Sequence, residues 1–256
     1  MAAERAFEGR VAIVTGAGRG TGGIGRAIAL RLAGAGAKVM VADVDARIGE
    51  TADELRAAGA QAQSHVGSLA EEANVQAMVD RTIDAWGRID VLVNNAGGGI
   101  IRPFLEHDGD SLRETIARNL WTALWCCHKV LPHMERLNYG RIVNIGADSL
   151  RTGIAEHAGY NAAKGGVIGM MTALAREFAG HDITINTVSP CVVNTPRFRA
   201  LKTSNPALAA HFESVVPKGR AAEIDEVASL ACFLARSDSG FITGQEVSVN
   251  GGSAMP

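Results

Sequence analysis

Tyr160 and Lys164, in the stretch Gly-Tyr-Asn-Ala-Ala-Lys-Gly-Gly at 159–166, are the residues whose types and spacing point most directly to chemistry. On a helix, positions i and i+4 share a face, so the phenol and the ammonium can meet over one reacting group. A free phenol has a pKa of about 10, and a fixed neighbouring cation favours the phenolate and lowers that pKa. The pair predicts a general acid/base centre, but the same spacing arises by chance in many chains.

Length and composition favour one α/β domain over 1–256. Of the 256 residues 47% are apolar and only 5% aromatic, with 30 glycines, which suits close packing of helices on a sheet. The net charge of −2 gives no electrostatic footprint for nucleic acid. No apolar run approaches the roughly 20 residues of a membrane span, and the first residues lack the apolar core of a signal peptide. We therefore expect a cytoplasmic protein without nucleic-acid or membrane partners.

The four cysteines and seven histidines do not show the spacing of a metal site. Two cysteines, Cys126 and Cys127, are adjacent, and Cys191 and Cys232 stand alone. Free thiols and no metal are the expectation.

Short β-branched runs alternate with longer segments of helical periodicity. The runs predict strands at 11–15, 38–43, 61–66, 91–94, 141–145, 184–188 and 246–249. Helices are predicted at 25–35, 47–58, 71–86, 111–136, 157–179 and 223–235. Because each strand is uniformly apolar, helices should cover both faces of the sheet. The fold class is therefore α/β: a single Rossmann-type, doubly wound domain with a central, mostly parallel, seven-stranded sheet.

A glycine-rich turn, Gly-Ala-Gly-Arg-Gly-Thr-Gly-Gly-Ile-Gly at 16–25, connects the first strand to the first helix. Such a turn lets the backbone approach a pyrophosphate at a helix N-terminus. Asp43 ends the second strand, where a carboxylate can accept hydrogen bonds from an adenosine ribose and repel a 2′-phosphate. NAD is therefore favoured over NADP. Arg19 argues weakly for NADP, or is an exposed loop cation.

Four separated motifs in order resemble the short-chain dehydrogenase/reductase family, and the resemblance covers essentially the whole chain. They are the glycine-rich turn, Asn-Asn-Ala-Gly at 94–97, the Tyr160 and Lys164 pair, and the C-terminal stretch from Gly240 to Gly252. The resemblance implies an oxidoreductase that passes a hydride between a nicotinamide cofactor and a carbinol carbon.

The resemblance also implies roles for individual residues. Tyr160 would be the general acid/base, Lys164 would lower its pKa and bind the nicotinamide ribose, and Asn119 would hold a water in the proton relay. The residues implied in cofactor binding are Gly16, Gly23, Ile24, Gly25, Asp43, Ser68, Asn95, Ala96, Gly97, Val193 and Thr195, with Tyr160 and Lys164.

One catalytic position departs from the family. The family usually places a serine thirteen residues before the tyrosine, and here that position is Ala147. The nearest hydroxyl is Ser149, which we predict as the replacement; the alternative is that Ser149 only caps the loop. Loss of a substrate-polarising donor would slow hydride transfer by about 10²-fold.

Smaller departures concern the cofactor. The glycine turn is about three residues longer than usual, with the surplus around 19–22. The usual Pro-Gly after the sixth strand is Pro190-Cys191, and the adenine-side aspartate is replaced by Ser68, which can still accept a hydrogen bond.

The substrate region is predicted from its irregularity. The proline-containing segment 189–217 should form a lid with a short helical piece around 207–215. Arg151, Arg197 and Arg199 are candidates for receiving an acidic substrate or are surface charges. Trp121 and Trp125 should lie in the core or at a subunit contact. The helices at 111–136 and 157–179 resemble those through which family members form tetramers, so a homotetramer is expected.

The favoured hypothesis is NAD-dependent interconversion of a small or cyclic secondary alcohol and its ketone. Two alternatives stay open: a nucleotide-binding protein with little turnover, because of Ala147, and a 3-oxoacyl thioester reductase, which usually uses NADP.

Overall fold

A seven-stranded parallel sheet forms the centre of the computed structural model, which describes residues 5–18 and 23–255. The strands are β1 (Val11–Thr15), β2 (Lys38–Asp43), β3 (Ala62–Val66), β4 (Val91–Asn94), β5 (Gly140–Ile145), β6 (Ile183–Pro190) and β7 (Glu246–Val249). Their order is β3-β2-β1-β4-β5-β6-β7, and every described pair is parallel. The predicted Rossmann-type architecture is confirmed.

Ten helices are described: α1 (Ile24–Gly34), α2 (Ile48–Ala57), α3 (Glu72–Trp86), α4 (Gly109–Ile116), α5 (Thr122–Leu137), α6 (Ser149–Thr152), α7 (Ala158–Glu177), α8 (Pro196–Ser204), α9 (Pro206–Ser214) and α10 (Ile224–Leu234). One face of the sheet packs against α1, α2 and α10, and the other against α3, α5 and α7. The two layers make the fold doubly wound.

Successive strand residues point to opposite faces, which explains why strands covered on both faces, such as β1, are apolar along almost their whole length. In β1, Ala12 and Val14 belong to the core under α1 and α10, whereas Ile13 belongs to the core under α3 and α5. In β5, Val143 and Ile142 divide in the same way. β1 and β5 therefore each contribute to two hydrophobic cores, one on either face of the sheet.

The predicted helix at 111–136 is wrong in one respect. A π-helical turn at Ala117–Trp121 separates α4 from α5. Such a turn carries one extra residue and occurs often at functional sites. Asn119, at its centre, is 2% exposed.

The segment predicted as irregular contains two helices. The prediction of a helical piece around 207–215 corresponds to α9, but α8 was missed. Thr195 and Asn205 accept hydrogen bonds from the backbone N–H groups of Phe198 and Leu208, and each precedes a proline in the first turn. These are standard helix starts. Phe198, Ala209 and Ala221 form a small core of their own beneath the two helices.

Within the described ranges, no helix is both long and apolar enough to cross a bilayer.

Candidate active site

A cleft of about 1750 Å³ opens where the strands end in their carboxyl direction. β1 lies beside β4 although β2 and β3 come between them in the chain, so the connections diverge there and leave a crevice. Twelve of the predicted site residues line the cleft: Gly16, Ile24, Asp43, Ser68, Asn95, Ala96, Gly97, Ser149, Tyr160, Lys164, Val193 and Thr195. Gly23, Gly25 and Asn119 do not line it.

The glycine turn forms a cradle that side chains would fill. Gly16 has φ 63°, and a Cβ there would lie 2.7 Å from the Cα of Ala96. A Cβ on Gly25 would lie 2.5 Å from the carbonyl oxygen of Gly16. Only glycine allows this close approach of α1 to β1. Since a dinucleotide pyrophosphate needs open backbone at a helix start, the residues present fit this cofactor. The predicted surplus at 19–22, with Arg19, lies outside the described residues.

Asp43 holds the glycine turn as well as lining the cleft. Its carboxylate accepts hydrogen bonds from the backbone N–H groups of Gly18 (2.9 Å) and Asp45 (3.1 Å), and the residue is 4% exposed. The carboxylate therefore has a fixed position in the cleft, and its role in binding a ribose stays a prediction.

Asn95 fixes the same turn from β4. Its side-chain amide donates to the carbonyl oxygens of Thr15 (3.0 Å) and Gly16 (2.8 Å). The Thr15 hydroxyl accepts from the backbone N–H groups of Asn95 and Ala96. Asn95 thus acts on the cleft through its support of the cradle.

The remaining cofactor candidates, Ser68, Val193 and Thr195, also line the cleft. Ser68 follows β3, and its carbonyl accepts from the side chain of Asn74. Thr195 begins α8, and its hydroxyl accepts from Phe198 while its own hydrogen can still be donated. Val193 is held by a bridge to Ala222.

Tyr160 and Lys164 lie on the cleft-facing side of α7, as predicted from their spacing. The Lys164 Nζ lies 5.8 Å from the centroid of the Tyr160 ring and donates to the carbonyl oxygen of Ile145 at 2.6 Å. The carbonyl bond anchors the ammonium at the end of β5, beside the phenol.

In this arrangement the net pKa shift of Tyr160 is opposite in direction to the lowering expected from Lys164, and the role of Lys164 stays a prediction. Burial raises the pKa of Tyr160 to about 12 and lowers the pKa of Lys164 to about 8. Both shifts have the same cause, because burial penalises phenolate and ammonium alike. The nearest partner of the ammonium is the Ile145 carbonyl and not the phenol.

Asn119 does not line the cleft itself but hydrogen-bonds to Gly98, which does. Its amide donates to the carbonyl oxygens of Gly98 (3.1 Å) and Thr115 (2.7 Å), and its Oδ1 accepts from the Gly98 N–H (3.0 Å). A Cβ on Gly97 would lie 2.5 Å from this Oδ1 and 3.5 Å from the Lys164 Nζ. Asn119, Gly97 and Lys164 are therefore neighbours, and the described side chain of Asn119 positions the loop after β4.

Ser149 begins α6, and both it and Ala147 line the cleft. The Ser149 hydroxyl donates to Oδ1 of Asn161 at 2.6 Å, and the Asn161 amide donates to the Ser149 carbonyl at 3.0 Å. This second bond fixes the orientation of the amide, because a flip would set two carbonyl oxygens against each other. To donate to a substrate, the Ser149 hydroxyl must rotate away from Asn161. Its predicted role stays a prediction.

Asp148, between Ala147 and Ser149, is buried in a network of hydrogen bonds. Its carboxylate accepts from Ser248 (3.3 Å), Asn250 (3.0 Å) and Ser253, and the residue is 1% exposed. Asp148 therefore ties the turn after β7 to the end of β5.

Sequence reasoning missed three features of the site. The Gly18 contact with Asp43 had no signal in the residue pattern. The two hydrogen bonds between Asn119 and the Gly98 backbone depend on the π-helical turn. The hydrophobic periodicity of the sequence does not reveal that turn. The cleft-lining face of α8 had a signal, since Thr-Pro at 195–196 is a common helix start.

Comparison with known proteins identifies the family. The family model described as enoyl-(acyl carrier protein) reductase matches residues 18–254. The chain is 50% identical over 251 residues to a 2,3-dihydroxy-2,3-dihydro-p-cumate dehydrogenase of Pseudomonas putida, covering 97% of this chain and 96% of the relative. It is 36% identical to a 1,6-dihydroxycyclohexa-2,4-diene-1-carboxylate dehydrogenase of Acinetobacter baylyi, covering 98% and 99%.

A solved structure agrees. The crystal structure of levodione reductase matches with a TM-score of 0.90 at 31% identity, covering 98% of this chain and 100% of that one. With this family-model match, these sequence identities and this shared fold, the chain belongs to the short-chain dehydrogenase/reductase family of oxidoreductases.

Proposed function

We propose that the protein oxidises a secondary alcohol on a small, cyclic diol, with NAD as the cofactor and Tyr160 as the general base. The observation that carries this proposal is that Tyr160 and Lys164 line the same cleft as the glycine cradle and Asp43. Acid/base groups and a fixed dinucleotide cradle in one crevice are what hydride transfer from an alcohol needs.

When bound, the nicotinamide ring would accept the hydride from the carbinol carbon. In its phenolate form Tyr160 takes the hydroxyl proton as the carbonyl forms, and in the reverse direction the phenol donates that proton. Lys164, anchored on the Ile145 carbonyl, places a positive charge beside that phenolate and would hold the cofactor ribose. Asn119 hydrogen-bonds the Gly98 backbone and so holds the loop of Gly97 and Gly98 in place.

The substrate class is supported by the names of two relatives, both dehydrogenases of ring dihydrodiols. A 3-oxoacyl thioester reductase remains the second candidate, because the chain is 34% identical over 249 residues to the 3-oxoacyl-[acyl-carrier-protein] reductase of Escherichia coli. Asp43 favours the first candidate, since NADPH would place a phosphate beside its carboxylate.

The test is a turnover screen that follows NADH formation. Purified protein is given NAD with cis-cyclohexadienediols and simple cyclic alcohols, and NADPH with a 3-oxoacyl thioester. The proposal expects the diols to show the highest kcat/KM. NADH binding without turnover of any alcohol would contradict it, and faster thioester reduction would establish the second candidate.

Replacement of Asp43 tests the cofactor preference. Asp43→Asn keeps an oxygen that can accept from Gly18, but it removes the charge that opposes a 2′-phosphate. We expect the kcat/KM ratio of NADP to NAD to rise by about 10-fold or more, since juxtaposed like charges cost several kcal/mol. Glu71→Gln, at another acid that lines the cleft, is the control. A wild-type preference for NADP would refute the assignment.

Replacement of Ser149 by alanine tests the predicted substitute for the missing serine. If the hydroxyl polarises the substrate oxygen, kcat falls by up to about 10²-fold while KM for NAD changes little. Thr152→Val is the matched control, because the Thr152 hydroxyl, among the described residues, donates only to the Asp148 carbonyl. Unchanged kcat in Ser149→Ala would leave Ser149 as a partner of Asn161 alone.

We also propose a homotetramer built through α5 and α7. Trp121 is 46% exposed and stacks on Trp125 at 5.5 Å, which leaves an aromatic surface beside α5. Sedimentation equilibrium should give four chains per particle, and Trp121→Glu should lower that number. A wild-type monomer would contradict the proposal. Cytoplasmic location stays a prediction.

A further inference from the structure

The roof of the cleft comes from α8 and α9, and each helix presents one face to it. From α8, five residues line the cleft, and all but Phe198 fall at positions i, i+3, i+4 and i+7: Arg197, Phe198, Ala200, Leu201 and Ser204. This spacing is a single stripe along a helix. The side chains that α8 presents to the cleft are therefore apolar, apart from Arg197 in the first turn and Ser204 at the end of the helix.

The second helix repeats the pattern. Leu208, His211, Phe212 and Val215 line the cleft at the same spacing, with Val215 immediately after the end of α9. Three of these four side chains are apolar. Together the two stripes form a hydrocarbon surface that suits a ring, with a guanidinium at one end.

Arg197 differs from the other cations that line the cleft. Arg118 is paired with Glu114, and the Lys164 ammonium donates to the Ile145 carbonyl. Arg197 has no hydrogen bond or ion pair with any residue in the described part of the chain. Its fork of N–H donors is therefore available to a ligand in the cleft.

The other two arginines considered as anion receivers are engaged elsewhere. Arg151 donates to Ser248 (2.9 Å) and Glu246 (3.1 Å), and Arg199 donates to the carbonyl oxygen of Asn194 (2.6 Å). Neither is among the residues that line the cleft. Of the three, only Arg197 combines a position on the cleft with unused donors.

We propose that Arg197 is the specificity residue that binds a carboxylate group on the ring substrate, while the apolar stripes of α8 and α9 cover the ring itself. The planar fork of a guanidinium matches a carboxylate with two parallel hydrogen bonds. This inference rests on the proposed function for the identity of the reaction, and it adds that the substrate is an anion.

The kinetic test compares two substrates in two charge variants. A cis-dihydrodiol with a ring carboxylate and its methyl-substituted, uncharged counterpart are oxidised by wild type, Arg197→Leu and Arg197→Lys. In Arg197→Leu, kcat/KM for the carboxylate should fall by about 10- to 100-fold more than for the neutral diol, the range of a charged hydrogen bond. Arg197→Lys should recover part of the loss.

Glu156→Gln is the matched control, because Glu156 is a charged residue that also lines the cleft without an ion pair among the described residues. Removing this acid should keep or increase the preference for the carboxylate. A loss of preference as large as in Arg197→Leu would overturn the assignment. So would an equal loss on both diols, which would indicate only a structural role in the roof.

A binding measurement separates failure of this inference from failure of the proposed function. Calorimetry with saturating NADH should show benzoate binding more tightly than benzamide to wild type, and this difference should disappear in Arg197→Leu. That result supports the inference even if no diol is oxidised. If Arg197→Leu instead weakens NADH binding and keeps the benzoate preference, the guanidinium serves the cofactor pyrophosphate and the inference is wrong.

Discussion

Replacing Tyr160 by phenylalanine is expected to lower kcat for alcohol oxidation by about 10³-fold or more, within the range that general acid/base catalysis contributes. The substitution removes only the hydroxyl, so the ring keeps its packing against Gly99, whose position lies close to the Tyr160 ring. NADH affinity should change little. The measurement is steady-state kinetics together with titration of NADH by fluorescence.

The chain supplies its own control, because it contains two tyrosines. Tyr139 immediately precedes β5, at the amino ends of the strands and away from the cleft. The Arg10 guanidinium lies 3.7 Å from its ring centroid. Tyr139→Phe should retain turnover. If Tyr160→Phe turned over as fast as wild type, proton transfer would need another group and the assignment of the general base would be wrong.

Replacing Lys164 by methionine is expected to lower kcat/KM by about 10²-fold or more. Methionine fills a similar volume but supplies no charge beside the phenolate and no donor for the ribose or for the Ile145 carbonyl. Both kcat and KM for NAD should change, unlike in Tyr160→Phe. Lys129→Met is the control, because this lysine pairs with Glu72 on the outer side of α5. An effect as small as that of Lys129→Met would remove Lys164 from the site.

Lys164→Met should also differ from wild type in how the free energy of unfolding depends on pH. Burial lowers the pKa of folded Lys164 to about 8, below its ordinary value near 10.5. Between these values the unfolded chain binds more protons than the folded one, so wild-type stability gains with rising pH. From pH 8 to 9 this gain is about 1 kcal/mol relative to Lys164→Met. Denaturant unfolding at both pH values measures it, and a constant difference between the two proteins would contradict the shift.

The sheet and its helical layers could be predicted from the sequence because strands that are buried on both faces have a recognisably apolar sequence. β1 and β2 match their predicted bounds, since a strand covered by two helical layers must be apolar throughout. The pairing of Tyr160 with Lys164 could be predicted for a similar reason, because helical spacing alone puts both on one side of α7.

The details that could not be predicted depend on contacts between distant segments. The pKa of Tyr160 depends on how many groups bury it, and the partner of Ser149 depends on where α7 places Asn161. Neither is encoded in local spacing. The π-helical turn falls in the same class, because its effect on periodicity is one residue in a pattern of 26 predicted helical positions from 111 to 136.

The π-helical turn also makes the chain length of this segment critical. One residue in an α-helix corresponds to a rotation of about 100°. Deleting a single residue from Ala117–Trp121 would restore regular winding, but it would turn α5 by that angle relative to α4. If α4 kept its position, the buried side chains of Cys126 and Val130 would rotate out of the core. If α5 kept its position, Asn119 would lose its hydrogen bond to Gly98. Point substitutions of exposed residues here should be tolerated better than any insertion or deletion.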